Sequence, residues 1–176
     1  MKIDLYPDQV DLIDRTRGAM RRHRSVLVQA ATGFGKTVCL ADIVERHDGW
    51  SCVIAHRQEL VSQVSMMLAR YGISHNIIAA ESTRRAIAAA HVAEFGVCYY
   101  APSAFCTVAS VDTLVRAKGL ESWAARVTLW IVDEGHHLVL DNKWHRAISM
   151  FTHPACRGLL PTATPARADG KGLGRP

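Results

Sequence analysis

An eight-residue segment, A-A-T-G-F-G-K-T from Ala30 to Thr37, combines glycines, a lysine and hydroxyl side chains directly after a short apolar run. Gly33 and Gly35 allow a tight loop and remove side-chain bulk, so that main-chain N–H groups can approach a ligand. A helix that begins near Lys36 would add unpaired N–H groups and the positive end of its dipole. Lys36 would reach the β- and γ-phosphates of a nucleotide, and the Thr37 hydroxyl would bind Mg²⁺. The segment therefore predicts a cradle for a nucleoside triphosphate.

Two acidic residues, Asp133 and Glu134, follow the apolar run V-T-L-W-I-V. A carboxylate at the end of a buried strand can hold Mg²⁺ through water, and a neighbouring glutamate can orient or deprotonate an attacking water molecule. We therefore assign Asp133 to the metal and Glu134 to the water, although a capped loop with solvated acids stays open as the alternative. A third segment, T-A-T-P from Thr162 to Pro165, also follows an apolar run and alone predicts only a turn.

Short β-rich runs alternate with helical segments, and each segment described above follows a β-rich run. The β-rich runs are apolar throughout, which is typical of strands buried on both faces of a parallel sheet. The sequence therefore predicts an α/β fold, with a mostly parallel sheet, helices on both faces and ligands at the carboxyl ends of the strands. The predicted strands are 25–29, 51–55, 76–79, 106–110, 127–132 and 157–160. The predicted helices are 9–20 (capped by Asp8), 35–47, 57–70, 83–94, 111–118 and 143–150.

Length and composition fit one globular domain. The chain has 176 residues, of which 49% are hydrophobic and 21% charged, enough for a sizeable core. A net charge of +5 is compatible with nucleic acid but does not establish it. The five dispersed cysteines indicate reduced, mostly buried thiols, and the nine histidines show no zinc-ligand spacing. We expect the basic run 21–24 to be a solvated loop rather than a binding patch. No apolar run is long enough to cross a membrane, and the N-terminus lacks the features of a signal peptide.

Taken in order, the three segments resemble motifs I, II and III of superfamily 2 helicases. The segment V-I-A-H-R-Q-E-L (53–60) resembles motif Ia, T-V-A-S-V-D-T-L (107–114) the next DNA-facing motif, and L-Y-P-D-Q (5–9) the glutamine motif that reads adenine. The chain is similar to the DEAD/DEAH-box group of phages and bacteria, close in character to type III restriction and Rad25-like helicases. The resemblance covers nearly the whole chain and implies the first RecA-like lobe of a P-loop NTPase.

The resemblance also implies a role for each matching residue, with ATP and Mg²⁺ as cofactors. The residues implied in ATP binding are Gln9, Thr32, Gly33, Phe34, Gly35, Lys36 and Thr37. The residues implied in metal binding are Thr37 and Asp133, and those implied in catalysis are Lys36, Asp133 and Glu134. The residues implied in coupling the ATP state to nucleic-acid binding are His136, Thr162, Ala163 and Thr164. Arg57 and Ser110 would face the nucleic-acid backbone. Two alternatives stay open: Arg57 merely begins a helix on the solvent side, and Ser110 and Asp112 are ordinary helix caps.

Several positions depart from the family pattern. Ala30 stands where the first P-loop glycine is usual, Phe34 is bulkier than the common small residue, and Pro161 removes an N–H beside the third motif. The segment C-Y-Y-A-P (98–102) has no role that the resemblance explains.

The resemblance implies an ATP-binding lobe over residues 1–165 and a loop or linker over 166–176, leading toward a second RecA-like lobe that this chain does not contain. That second lobe carries an arginine finger, which is worth roughly 10³–10⁵ in turnover in related NTPases. We therefore expect the chain alone to bind ATP weakly, to hydrolyse it poorly and not to unwind a duplex unaided.

Three functions remain open at this stage. The first is an ATP-dependent helicase acting on nucleic acid, DNA in preference to RNA, together with the second lobe. The second is a double-stranded DNA translocase subunit of the restriction or remodelling type. The third is a truncated, non-catalytic module that binds nucleic acid or a partner. The implied location is the cytoplasm of a bacterial cell or a phage-infected host, with no membrane contact.

Overall fold

A computed structural model of the chain describes residues 3–133 and 142–163, so Glu134, His136, Thr164 and the expected linker lie outside the described residues. Within the described ranges, six parallel strands form one sheet in the order β1-β6-β5-β2-β4-β3. The strands are β1 Ser25–Gln29, β2 Trp50–Ala55, β3 His75–Ile78, β4 Cys106–Ser110, β5 Val127–Val132 and β6 Arg157–Thr162. The helices are α1 Pro7–Arg22, α2 Lys36–Glu45, α3 Gln58–Arg70, α4 Glu81–Phe95, α5 Val111–Leu114, α6 Glu121–Ala124 and α7 Lys143–Ile148.

Both faces of the sheet are covered, as the apolar strand runs predicted. In β2, Val53 faces a core shared with α1, α2 and α3, whereas Cys52 and Ile54 face a second core shared with α5, α6 and α7. Neighbouring residues of a strand point to opposite faces, so an apolar run places hydrophobic side chains in both cores. The predicted α/β fold with a parallel sheet is confirmed. None of the helices in the described part of the chain combines the length and apolar character that crossing a bilayer requires.

All six predicted helices differ by at least one residue in their bounds, and two of these differences change how a helix begins or ends. Helix α1 begins at Pro7 with Tyr6 as its N-cap, so the prediction that Asp8 caps it is wrong. Proline suits the first helical position because that position has no intrahelical N–H bond to lose. The single helix predicted over 111–118 is also wrong: α5 ends at Leu114, and the chain turns at Gly119, with φ of 75°, before α6.

The segment 98–102, which the resemblance left without a role, extends the sheet beside β3. The His75 N–H donates to the Tyr99 carbonyl at 2.9 Å, and the Ala101 N–H donates to the His75 carbonyl at 2.9 Å. Tyr100 thereby forms an isolated parallel bridge with His75. The segment therefore supplies main-chain partners for the first residue of β3.

A buried hydrogen-bond network joins Ser65 of α3 to His75 and to His91 of α4, and all three side chains are inaccessible to solvent. His75 Nδ1 lies 2.8 Å from the Ile73 carbonyl, which can only accept, so this nitrogen carries the proton. His75 Nε2 therefore accepts from Ser65 Oγ at 2.6 Å. His91 Nδ1 accepts from the Tyr99 N–H at 3.3 Å, so His91 Nε2 donates to Ser65 Oγ at 3.1 Å. Each ring is thus neutral and bonded through both nitrogens.

The network makes stability depend on pH, because protonating either ring breaks one of these bonds. Burial lowers the pKa of His75 from 6.5 to about 4, and burial also lowers the pKa of His91. A folded pKa below the unfolded one means that the unfolded chain binds more protons, so stability present above pH 6.5 is lost as the pH falls toward 4. For His75 alone we expect a loss of about 2 kcal/mol in the free energy of unfolding between pH 7.5 and pH 5. Urea unfolding at both pH values measures it. His75→Gln should flatten the dependence and the partly exposed His153→Gln should not; equal slopes in all three proteins would contradict the assignment.

Candidate functional site

The loop between β1 and α2 has the conformation that its glycines allow. Gly33 and Gly35 have φ values of 84° and 86°, which side-chain-bearing residues rarely adopt. A Cβ on Gly35 would lie 2.5 Å from Gln9 Nε2, closer than any van der Waals contact permits. Gly35 is therefore required both by its backbone conformation and by the close approach of α1.

Six main-chain N–H groups of this loop have no hydrogen-bond partner in residues 3–133 and 142–163, those of Ala31, Thr32, Gly33, Gly35, Lys36 and Thr37. The last two open α2, where the helix itself supplies no acceptor. The Lys36 ammonium lies at the same loop, donating to the Ala30 and Ala31 carbonyls at 3.1 and 3.2 Å. Unpaired amides, a helix N-terminus and a lysine together suit a polyphosphate, and the Thr37 hydroxyl beside them suits Mg²⁺.

Gln9 ties helix α1 to this loop. Its side chain is only 6% exposed. Its Oε1 accepts from the Tyr6 N–H at 3.0 Å, and its Nε2 donates to the Phe34 carbonyl at 2.8 Å. Phe34 also packs against the core below the loop, which accounts for a bulky residue at this position. The predicted contact of Gln9 with adenine stays a prediction, and the observed contacts add a second way for Gln9 to act, by fixing the loop.

Replacing Gln9 separates these two roles. In Gln9→Ala the Tyr6 N–H and the Phe34 carbonyl lose their partner, a buried side chain, so we expect a loss of about 1–3 kcal/mol in the free energy of unfolding. If Gln9 only fixes the loop, ATP and GTP binding weaken by the same factor. If it also reads adenine, the ratio of ATP to GTP affinity falls. Titrating both nucleotides against wild type and variant decides between the roles, and unchanged stability together with unchanged affinities would contradict both.

The strand order brings the second and third motifs beside the loop. Strand β6 lies next to β1, and β5 next to β6, so the carboxyl ends of all three meet at one edge of the sheet. Thr162 is fully buried as the last residue of β6, and its carbonyl accepts from the Ala30 N–H at 3.0 Å. Ala30 continues the β1–β6 ladder, which explains why this position tolerates a Cβ. Ala163 and Asp133 follow the ends of β6 and β5.

Pro161 lies inside β6, which runs two residues further than the sequence predicted. Proline cannot donate to a ladder. The β5–β6 ladder ends at the pair Ile131–Leu159, two residues before the proline, whereas the β1–β6 ladder continues to Gln29–Thr162. Beyond that point the Asp133 N–H donates to the Ile54 carbonyl of β2, at 3.0 Å. The proline therefore coincides with the point where β5 and β6 separate, directly beside Asp133.

The two residues expected to face nucleic acid lie further along the same edge. Arg57 is the exposed N-cap residue of α3 after β2, and Ser110 is the N-cap residue of α5 at the end of β4. Neither side chain makes a capping hydrogen bond. Asp112 is not a cap either, because its two carboxylate oxygens accept from Lys143 Nζ of α7 at 2.9 and 3.0 Å. The structure thus places Arg57 after the end of β2 and Ser110 at the end of the neighbouring β4, and neither side chain is used for capping.

Sequence reasoning missed Lys143, which joins α7 to α5, and the ring contact between Trp144 of α7 and His56, at 6.2 Å between centroids. Helix α7 thereby touches both segments that resemble the nucleic-acid motifs. The start of α7 could be predicted from the sequence, because Asn142 is a good N-cap residue; in the structure it accepts from the Trp144 and His145 N–H groups. The contact of Lys143 with Asp112 could not be predicted, because the two residues lie 31 positions apart.

Residues 2–167 match the protein family described as "Type III restriction enzyme, res subunit", which covers nearly the whole chain. The chain belongs to this family. Together with its structural neighbours, the family identifies a helicase-type ATPase lobe of superfamily 2, the N-terminal of the two lobes. Helicase-like ATPases of this kind generally use ATP with a divalent metal. No curated protein sequence matches this res-subunit chain significantly.

Solved structures share the fold of this res-subunit lobe at low identity. The UvsW helicase from bacteriophage T4 matches with a TM-score of 0.63 and 16% identity, over 93% of this chain and 54% of that one. The Sulfolobus solfataricus SWI2/SNF2 ATPase core, in complex with dsDNA, matches with 0.68 and 15%, over 94% and 33%. A nuclease-deletion mutant of the type ISP restriction-modification enzyme LlaGI, with a DNA substrate mimic, matches with 0.65 and 11%, over 97% and 18%. The chain therefore spans about half or less of the length of these proteins.

Proposed function

We propose that the chain is the ATP-binding lobe of a DNA-acting helicase, completed by a second RecA-like lobe. The observation that carries the proposal is the loop 30–37 at the carboxyl end of β1, with Lys36 and six N–H groups that have no partner in the described residues. This loop lies at the edge of the sheet where Asp133 and Thr162 also end their strands. Such an arrangement suits a triphosphate, and no simpler ligand uses all of these groups.

In this proposal each residue has a defined task. Lys36 leaves the Ala30 and Ala31 carbonyls and binds the β- and γ-phosphates, neutralising their charge. The Thr37 hydroxyl and the Asp133 carboxylate hold Mg²⁺, which supplies charge neutralisation at the phosphate oxygens when bound. Glu134 orients the attacking water. Hydrolysis of ATP is coupled to nucleic-acid binding by four residues, Thr162, Ala163, Thr164 and His136.

Nucleic acid would lie against Arg57 and Ser110, and DNA is the proposed substrate. Two of the structural neighbours were solved with dsDNA or a DNA substrate mimic, which supports DNA over RNA. An arginine finger at the γ-phosphate is worth roughly 10³–10⁵ in turnover in related NTPases, and the resemblance assigns it to a second lobe. We therefore propose that a second lobe, in a longer chain or in a partner subunit, completes the ATPase.

A double-stranded DNA translocase is the second candidate. It is favoured by the res-subunit family match and by the likeness to the SWI2/SNF2 core. Both candidates share the ATP site, and they differ in whether the strands of the duplex separate. A non-catalytic binding module is the third candidate, and it would not need the unpaired amides or Lys36.

The experiment is ATP turnover by the chain alone, with and without single- and double-stranded DNA, beside Lys36→Ala. We expect near-zero turnover with Lys36-dependent ATP binding, because in this proposal the second lobe supplies the arginine finger that gives roughly 10³–10⁵ in rate. Strong DNA-stimulated turnover would contradict the need for a second lobe. Absence of ATP binding would favour the non-catalytic module. Once the second lobe is supplied, a strand-displacement assay and a triplex-displacement assay on the same DNA separate helicase from translocase.

A further inference from the structure

An open cleft of about 540 Å³ lies at the opposite edge of the sheet from the loop 30–37. It is formed by the C-terminal ends of α1 and α2 and the amino ends of β5 and β6, and its lining includes four arginines, Arg17, Arg21, Arg46 and Arg157. Thr128 near the start of β5 lines the cleft, and Asp133 follows the end of the same strand. At about 3.3 Å per residue, the cleft is roughly 16 Å from Asp133 along β5. We call this surface the arginine cleft.

The arginine cleft carries an excess of positive charge. Four arginines face a single lining carboxylate, Asp48, which leaves a net charge of +3 (four minus one). Asp42, outside the lining, pairs with Arg46 at 2.9 Å and reduces this to +2. No carboxylate in the described part of the chain forms an ion pair with Arg17, Arg21 or Arg157.

Two of the arginines are held in place by main-chain carbonyls. Arg17 Nη2 donates to the Arg46 carbonyl at 3.3 Å, and Arg157 donates from Nε to the Met20 carbonyl at 3.2 Å and from Nη1 to the Cys156 carbonyl at 3.2 Å. A guanidinium has five N–H donors, so these bonds fix its orientation and leave further donors for a ligand. The arginines are therefore arranged before any ligand arrives.

Arg17 and Arg21 are four residues apart on α1, so they share one face of the helix. Like charges at this spacing destabilise a helix slightly, and within the described ranges Asp14, one turn before Arg17, forms no ion pair with either arginine. Complementing the negative C-terminal end of α1 needs basic residues only in the last turn, where Arg21 and Arg22 already lie. Helix stability accounts for one contact of Arg17, its bond to the Arg46 carbonyl at the end of α2, and the other N–H donors of its guanidinium can bind an external anion. Arg21 and Arg22 lie in the last turn of α1, so the expectation of a loop over 21–24 is wrong for these two residues.

We propose that the arginine cleft binds the phosphodiester backbone of duplex DNA as a second contact, apart from the edge that carries Arg57 and Ser110. Arginine is the residue best suited to phosphate, because its planar fork donates two hydrogen bonds to one phosphate. Several fixed arginines around an open cleft suit a ligand with several phosphates in a row. The other source of this chemistry is a compact polyphosphate, and the experiment tests it separately.

The experiment measures binding of a fluorescein-labelled 12-base-pair duplex to the 176-residue chain by anisotropy, without nucleotide, across a series of NaCl concentrations. The test variant is Arg17→Gln/Arg21→Gln, which leaves Arg157 and its bond to Met20 intact. The matched control is Arg84→Gln/Arg85→Gln on α4, which removes the same charge outside the cleft. Losing two phosphate contacts should reduce the slope of log affinity against log salt by about 1.8, and the affinity at 0.1 M salt by at least about tenfold. The control should keep the wild-type slope.

Three results would overturn the proposal: no duplex binding by the wild type, an unchanged slope in the test variant, or displacement of the duplex by inorganic tripolyphosphate at equal concentration. Amide chemical shifts of the unmodified chain give a check that needs no variant, since the duplex should move the signals of Arg17, His47 and Thr128. Shifts confined to other residues would overturn it too. ATP affinity should be equal in the test variant and the wild type, so failure of the ATP site and failure of the arginine cleft are distinguishable.

Discussion

Lys36→Ala is expected to weaken ATP binding by about 10- to 150-fold, the largest effect of any single substitution at the loop 30–37. The ammonium donates to two carbonyls at the mouth of the loop and would turn to the phosphates when a nucleotide enters. A hydrogen bond to a charged group contributes about 1.5–3 kcal/mol, which converts to that range of affinity. A titration with a fluorescent ATP analogue in the presence of Mg²⁺ measures it.

The control for Lys36 is Lys118→Ala, an exposed lysine far along the chain that removes the same charge. It should leave ATP affinity unchanged, which separates a local contact from a general loss of positive potential. The unfolding curve of Lys118→Ala should match the wild type within about 0.5 kcal/mol. Lys36→Ala should cost about 1–3 kcal/mol, because the carbonyl of the buried Ala30 loses a partner. Equal ATP affinity in wild type and Lys36→Ala would contradict the assignment of the loop 30–37 as the ATP site.

Gly158→Ala is expected to cost about 3 kcal/mol in the free energy of unfolding, the largest effect on stability. Gly158 pairs with Trp130 across β5 and β6, and the indole covers the glycine. A Cβ at Gly158 would lie 2.1, 2.4 and 2.5 Å from three atoms of the ring. Forcing a methyl group into a packed core costs about 1–3 kcal/mol, and a rigid ring in the middle of a sheet places this case at the upper end. Urea unfolding measures it.

A double-mutant cycle tests the cause of that loss. Trp130→Leu should be destabilising by itself, because it removes a buried indole, yet in its presence Gly158→Ala should cost much less. Gly72→Ala is the comparison, since Gly72 has φ of 75° but open space around its Cβ position. It should cost about 1 kcal/mol from backbone strain alone. Additive losses for Trp130 and Gly158 would show that the ring does not cause the effect.

The fold was predictable because its strands are unusually uniform. Strand β5, V-T-L-W-I-V, is apolar on both faces, and only a strand covered by helices on both sides can bury such a run. The bounds were harder where main-chain chemistry decides them. Helix α1 starts at a proline that propensity alone disfavours, and β6 continues through Pro161 because only its neighbour β5 would have needed the missing N–H.

The candidate site was predictable to the extent that it lies in contiguous segments. The loop 30–37 brings its glycines and lysine together through local sequence, so the motif could be read directly. Contacts between distant segments could not be read, such as Lys143 with Asp112 or Ser65 with His75 and His91. The arginine cleft belongs to this second kind, because the strand order β1-β6-β5 brings Arg157 beside Arg17 across 140 positions of sequence.

The most direct test of the central claim, that the loop 30–37 is the ATP site of this lobe, is an amide chemical-shift titration of the chain with ATP and Mg²⁺. We expect the signals of the six unpaired amides, Ala31, Thr32, Gly33, Gly35, Lys36 and Thr37, to move first and most, because their N–H groups lack partners until phosphate arrives. Asp133 should respond only when Mg²⁺ is present. Shifts that bypass these six amides, or no shifts at millimolar ATP, would contradict the assignment of the loop as the ATP site.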